Sequence, residues 1–181
     1  MGLMTPDKMF ATYRELTPDY LKQRGIDVLI MDIDNTLAPY EQAEPDEALL
    51  AWLTGMQDAG IRLAFVSNND WPRIELFNRN IGIPAHAKSG KPFGTKLRRV
   101  INAYGSDKRH AAILGDQLLT DMFAGKHIGI SAFLVPPIKD KTTVFWRVKR
   151  ALEKPIIRKY VKKHPEQADC AVFWLGKGGE K

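Results

Sequence analysis

Apolar residues along this chain keep two spacings, and the two alternate. Short, mostly apolar runs from Val28 to Ile33, in "IRLAFV" from Ile61, in "AAIL" from Ala111 and in "ISAFLV" from Ile130 suit strands buried on both faces. Between them the apolar residues fall three and four apart. In "PDEALLAWLTGMQDAG", Leu49, Trp52, Leu53 and Met56 make one helical face, and Gly60 closes the helix. A second such helix is expected to open at Pro92, with Leu97, Val100, Ile101 and Tyr104 on its apolar face and Gly105 as its stop. Short helices are predicted for "TPDYLKQRG", with Thr17 as N-cap and Pro18 at the first position, for a segment beginning near Trp71-Pro72, and between the last two strands. Alternating strand and helix patterns of this kind predict an α/β fold: a Rossmann-like, mostly parallel sheet with helices on both faces.

After Pro136-Pro137 the pattern changes. Val144, Phe145, Val148 and Leu152 predict the apolar stripe of a basic helix capped by Thr142 or Thr143. Pro155 is expected to break that helix, and "PIIRKYVKK" to begin another. The core is therefore assigned to residues 1–137, and a basic helical extension to 138–181. Charge marks the same boundary. The chain carries +6 overall, yet residues 141–163 alone hold nine Lys or Arg against one acid, Glu153. With Phe145, Trp146, Ile156, Ile157 and Tyr160 interleaved, the segment suits an anionic bilayer surface; the alternative is an ordinary amphipathic helix with solvated lysines. No apolar run approaches the length of a membrane span, the start lacks the pattern of a secretory signal, and the single cysteine, Cys170, excludes an internal disulfide or a thiolate metal cage. The expectation is a soluble, cytoplasmic protein with peripheral contact at the inner membrane face.

The chemistry is concentrated where the strands end. Asp32 and Asp34 follow the first strand, and residues i and i+2 of an extended chain point to one side, so both carboxylates face a common space. That side is where open α/β sheets bind ligands. Two carboxylates so close need a proton or a cation between them, and they suit a nucleophile paired with a general acid. Ser67 and Asn68 end the second strand just ahead of a helix, which makes a candidate phosphate site, although the same residues serve an ordinary capping turn. Asp116 follows the third strand. Asp121, five residues on, reads equally as a carboxylate placed at a helix start. Asp32, Asp34 and Asp116 would form an all-oxygen site suited to Mg²⁺. The four histidines show no ligand spacing. Lys88 and Lys91 in "HAKSGKPFG" offer a cation to a transferring phosphoryl group.

These stations, in this order, resemble the haloacid-dehalogenase (HAD) superfamily. "DIDNT" is similar to its first motif, "SNN" to its second, Lys91-Pro92 to its lysine motif and "GDQLLTD" to its metal motif. The spelling is similar to the class III phosphatases of YqeG type, relatives of mitochondrial phosphatidylglycerophosphatase, over roughly residues 17–137. The resemblance implies that Asp32 is the nucleophile forming an aspartyl-phosphate, and that Asp34 acts first as acid and then as base. Ser67 and Lys91 would hold the phosphoryl group. Mg²⁺ would sit on the Asp32 carboxylate, the Asp34 backbone carbonyl and Asp116.

Only 32 residues separate Asp34 from Ser67 and 23 separate Ser67 from Lys91, room for a helix and a strand apiece but for no cap domain. An open site suits a large substrate or a head group at a membrane. The leading expectation is therefore a Mg²⁺-dependent phosphatidylglycerophosphate phosphatase. The alternatives are a capless phosphatase of nucleic-acid ends or phosphoprotein, and a non-catalytic module associated with RNA or the ribosome.

Overall fold

The computed structural model describes residues 2–139 and 143–176, with the backbone alone for 144–146. Six parallel strands form one sheet: β1 (Lys8–Met9), β2 (Val28–Met31), β3 (Arg62–Val66), β4 (Ala85–His86), β5 (Ala111–Gly115) and β6 (Ser131–Leu134), in the order β1-β6-β5-β2-β3-β4. β2 lies between β5 and β3, and all four of its residues are buried. That is why its sequence is apolar without alternation. The helices are α1 (Pro18–Gln23), α2 (Glu47–Asp58), α3 (Trp71–Asn78), α4 (Thr95–Ala103), α5 (Phe123–Ile128), α6 (Val144–Lys163) and α7 (Val172–Leu175).

The two-residue period of the strands sorts the core into two layers. Leu29, Met31, Leu63, Phe65 and Leu114 pack with Leu21, Leu49, Leu53, Met56, Ile74 and Phe77, the buried faces of α1, α2 and α3. Val28, Ile30, Ala64, Val66 and Ile113 face the other way, onto Leu97, Val100, Ile101 and Ile128 of α4 and α5 and onto Ile157, Tyr160 and Trp174 of α6 and α7. The C-terminal segment thus contributes to the same core layer as α4 and α5. The expected cap of α1 is present, the Thr17 hydroxyl accepting from the Tyr20 amide, and Asp46 caps α2 by accepting from the Leu49 amide.

Three expectations are corrected. The helix expected at Pro92 begins at Thr95, because Gly94 takes φ +69° and lies outside the helical region. The edge strands β1 and β4, absent from the sequence reading, have two residues each, too few to show a period. The basic segment is one helix running through Pro155 rather than two. Ala151, whose carbonyl loses its partner at Pro155, is exposed and can bond water instead.

Continuity of α6 also resets its face. Ile157 and Tyr160 dock on the core, and the same face continued upward at i−4 passes through Glu153 and Lys149, both buried. Val148 and Leu152, expected in the apolar stripe, are 55% and 58% exposed. The expected roles of Lys141 and Thr142 and the side-chain roles of Val144, Phe145 and Trp146 lie outside the described residues. Among the described residues, no helix is long and apolar enough to cross a membrane.

Candidate active site

From β2 the chain winds outward to β3 and β4, then returns to build β5 and β6 on the other side. The crevice beyond the C-terminal ends of β2 and β5 is the switch point where open α/β sheets bind ligands. Asp32 and Asp116 follow those two strands directly. The Asp32 amide still pairs with the Leu114 carbonyl, at 3.0 Å. Past it the Ile33 carbonyl accepts from the amides of Thr36, Leu37 and Ala38 and folds the chain back. The turn brings the Thr36 hydroxyl to 3.4 Å from Asp32 Oδ2 and 3.3 Å from Asp116 Oδ1, so it bridges two strand ends.

Beyond β5, residues Leu118–Met122 form one wide π-helical turn that carries Asp121 back over Gly115. Gly115 is necessary there: a Cβ on it would lie 2.4 Å from Asp121 Cβ. Asp121 is fully buried, and Lys91 Nζ donates to Asp121 Oδ1 and to Asp32 Oδ1, each at 2.6 Å. Of the two readings of Asp121, the geometry therefore places it inside the carboxylate cluster. It likewise separates the two candidate lysines. Lys91 is buried in the cluster, whereas Lys88 is exposed and pairs with Asp70 at 3.3 Å.

The second strand end contributes differently from what was expected. Asn68, a candidate phosphate ligand, turns its side chain to the lysine loop: its Oδ1 accepts from the Lys91 amide at 3.1 Å and the Ser89 hydroxyl at 2.5 Å. Its amide nitrogen donates to the Lys91 carbonyl at 3.4 Å. Asn68 thus fixes the backbone from which Lys91 reaches the carboxylates. Ser67 is buried, with its hydroxyl accepting from the Asn69 amide at 3.1 Å. Asp34 stands apart from the buried cluster, held by Arg73 Nη2 at 3.0 Å on one oxygen and by Asn69 Nδ2 at 3.1 Å on the other. On the far flank Lys149 of α6 donates to Gln117 Oε1, next to Asp116.

The electrostatics follow from burial. Desolvation pushes the Asp32 carboxyl up to about 6, against the pull of the Lys91 ammonium, and the charges of Asp121 and Asp34 push the same way. Asp116 is raised well above the ordinary carboxylate range by burial and then by Asp121 and Asp32. For Lys91, burial alone would lower the pKa, but Asp121 and Asp32 outweigh it and hold the ammonium above its ordinary value.

Asp32, Asp116 and Asp121 each offer an oxygen within 4.8 Å of the others, and among the described residues no histidine or cysteine joins the group. Three buried carboxylates, two of them sharing the Lys91 ammonium, leave surplus negative charge on hard oxygen donors. That donor set fits a divalent hard cation. The carboxylate set differs from the expected Asp32, Asp34 and Asp116 in that Asp121, not the Asp34 side chain, is the third member. Thr36, Asn69, Arg73 and Gln117 were not singled out from the sequence. Thr36 had a legible signal as the last residue of "DIDNT", while Arg73 had none, since it meets Asp34 only through the packing of α3.

A parallel α/β sheet with aspartates and a lysine gathered at its switch point defines a phosphohydrolase of the HAD type. The "HAD-hyrolase-like" family model matches residues 88–142, which include Lys91, Asp116 and Asp121. The chain is 33% identical over 152 residues to the probable phosphatase YqeG of Bacillus subtilis strain 168, covering 84% of this chain and 88% of that one. It therefore belongs to the HAD-like hydrolases, among the phosphatases of YqeG type. At the level of fold it is similar to the cobalt-bound deoxy-D-mannose-octulosonate 8-phosphate phosphatase of Haemophilus influenzae (TM-score 0.52, 16% identity, 78% of this chain and 92% of that one). It is equally similar to the N-terminal phosphatase-containing part of BF1531 from Bacteroides fragilis, complexed with Mg (TM-score 0.52, 17% identity, 64% of this chain and 38% of that one).

Proposed function

We propose that this HAD-family phosphatase hydrolyses phosphomonoesters through an aspartyl-phosphate on Asp32, with Mg²⁺ as its metal and phosphatidylglycerophosphate as its substrate. The observation that carries the reaction is the buried Asp32–Lys91–Asp121 contact beside Asp116, at the C-terminal ends of β2 and β5. An Asp32 oxygen attacks phosphorus, forming the acyl-phosphate as the bond to the leaving oxygen breaks. Asp34 gives that oxygen its proton, then takes one from the water that releases inorganic phosphate and restores Asp32. Asp34 is suited to this exchange because it sits outside the buried cluster, oriented by Arg73 and Asn69. Lys91 and Ser67 hold phosphoryl oxygens, and Asp121 holds Lys91. Asp32, Asp116 and Asp121, with the Asp34 backbone carbonyl, would hold the Mg²⁺, which when bound offsets phosphoryl charge and orients the nucleophile.

The lipid substrate is supported by the short Asp34–Ser67 and Ser67–Lys91 spacings, which leave no room for a cap domain, and by the exposed basic end of α6, where Arg158, Lys159, Lys162 and Lys163 all face solvent. The test is Mg²⁺-dependent phosphate release from a panel of phosphatidylglycerophosphate, 5′-phosphorylated oligonucleotides and phosphopeptides. Turnover of the lipid, abolished in Asp32→Asn, is expected. The amide keeps the shape of Asp32 but is neither a competent nucleophile nor an anionic ligand. Near-normal turnover in Asp32→Asn would refute the mechanism, and turnover of another panel member with none of the lipid would refute the substrate.

A further inference from the structure

A cleft of about 790 Å³ opens on the flank of the molecule between the N-terminal segment and the C-terminal half of α6. Leu3, Met4 and Pro6 form one wall, Ile156 and Tyr160 the other, and Phe123 contributes from α5. The size falls in the range of pockets that enclose a ligand, roughly 300–1,000 Å³. Its walls are tied together. Gln167 Oε1 accepts from the Tyr160 hydroxyl at 2.7 Å and from the Met9 amide of β1 at 2.8 Å, so helix and N-terminal segment hold a fixed separation.

The mouth is basic. Lys159 and Lys163 line it and are exposed, and among the described residues neither forms an ion pair with a carboxylate. The nearby acids are engaged: Asp7 by the Lys126 ammonium at 2.7 Å, and Glu166 by the Gln167 side-chain amide, which donates to it at 3.1 Å. Arg158 and Lys162 add charge on the same turns. An apolar trough with an uncompensated cationic rim is complementary to a molecule with a hydrocarbon chain and an anionic head.

The cleft shares no residue with the carboxylate cluster. Lys149, beside Gln117, marks the catalytic end of α6, and the cleft residues 156–163 lie roughly 10–20 Å further along it at 1.5 Å per residue. We propose that this cleft binds one acyl chain of a bilayer phospholipid, with Lys159 and Lys163 on its anionic head group, as an anchor separate from the phosphoryl site. The anchor deepens the membrane reading of the function. Its test is independent of that reading, because it uses lipids that carry no phosphomonoester.

The full chain is mixed with vesicles of phosphatidylcholine bearing a photoreactive acyl chain, or with vesicles in which phosphatidylglycerol bearing the same chain replaces part of it, and cross-linked peptides are identified by mass spectrometry. Cross-links within residues 2–6 and 155–164 are expected, only with the anionic lipid. Lys159→Glu with Lys163→Glu is expected to weaken vesicle binding at least about tenfold, and Leu3→Asp, on an exposed residue, to remove the cross-link; thermal melts check that each variant is folded. Cross-links elsewhere on the chain, equal binding to pure phosphatidylcholine, or binding unaffected by the lysine changes would overturn the proposal. So would loss of binding in the lysine variant when the wild-type chain gives no cross-link in the cleft, since that describes a charged surface without a chain site.

Discussion

Replacing Lys91 by methionine removes the ammonium that bonds both Asp32 and Asp121 and leaves a side chain of similar length. The Lys91 side chain is 2% exposed, and its partners Asp32 and Asp121 are 7% and 1% exposed. At 2.6 Å and an effective dielectric near 20, each contact is worth roughly 6 kcal/mol of Coulomb attraction. Burying each ion costs several kcal/mol in turn, so that gross figure is not the loss. Removing one partner of a buried pair destabilises by about 3–5 kcal/mol. For a chain of this length each kcal/mol moves Tm by about 2–4 °C, so a drop of roughly 6–20 °C is expected at pH 7.5 in EDTA. The deficit should shrink at pH 5. The Asp32 carboxyl, raised to about 6 even with the Lys91 ammonium beside it, rises further once that ammonium is gone, so the variant gains more from protonation of Asp32 than wild type does as pH falls through 6. Asp116, raised further, acts in the same direction. Adding Asp121→Asn to Lys91→Met should recover part of the loss at pH 7.5. Urea melts of the three proteins at both pH values are the assay. A single variant as stable as wild type at pH 7.5, or a deficit unchanged at pH 5, would refute the electrostatic account.

Mg²⁺ at ten times its Kd should stabilise the protein by about 1.4 kcal/mol. That is roughly 3–6 °C in Tm, and the shift should be absent in Asp116→Asn. Activity should vanish in EDTA and be inhibited by Ca²⁺, whose looser coordination misplaces the attacking oxygen; full turnover in chelator would contradict this. Gly115→Ala should cost about 1–3 kcal/mol, because its Cβ would collide with Asp121, and should lower turnover with it; thermal melts and phosphate release read both effects. Leu152→Gln should change stability by no more than about 0.5 kcal/mol, whereas Ile157→Ala should cost about 2–5 kcal/mol. The reverse order in urea melts would restore the stripe read from the sequence.

What this sequence determined alone is the part of the protein in which local pattern and burial coincide. β2, β3, β5 and β6 are central or nearly so, buried on both faces, and therefore written as apolar runs. Asp32 and Asp116 follow directly from them, because a polar residue after such a run must lie at a sheet edge. Tertiary structure decided whatever depends on residues distant in the chain. α6 is the clearest case. Val148 and Leu152 form as good an apolar pair as any on a helical wheel, but Ile157 and Tyr160 meet the core, and a continuous helix then turns Lys149 and Glu153 inward. Asp121 was ambiguous because its partner, Lys91, is 30 residues away on another loop, and the missing side chain at Gly115 has meaning only once the π-turn folds over it. Asp34 and Arg73 are 39 positions apart. Pairings of this kind arise from strand order and helix packing, which no local period encodes.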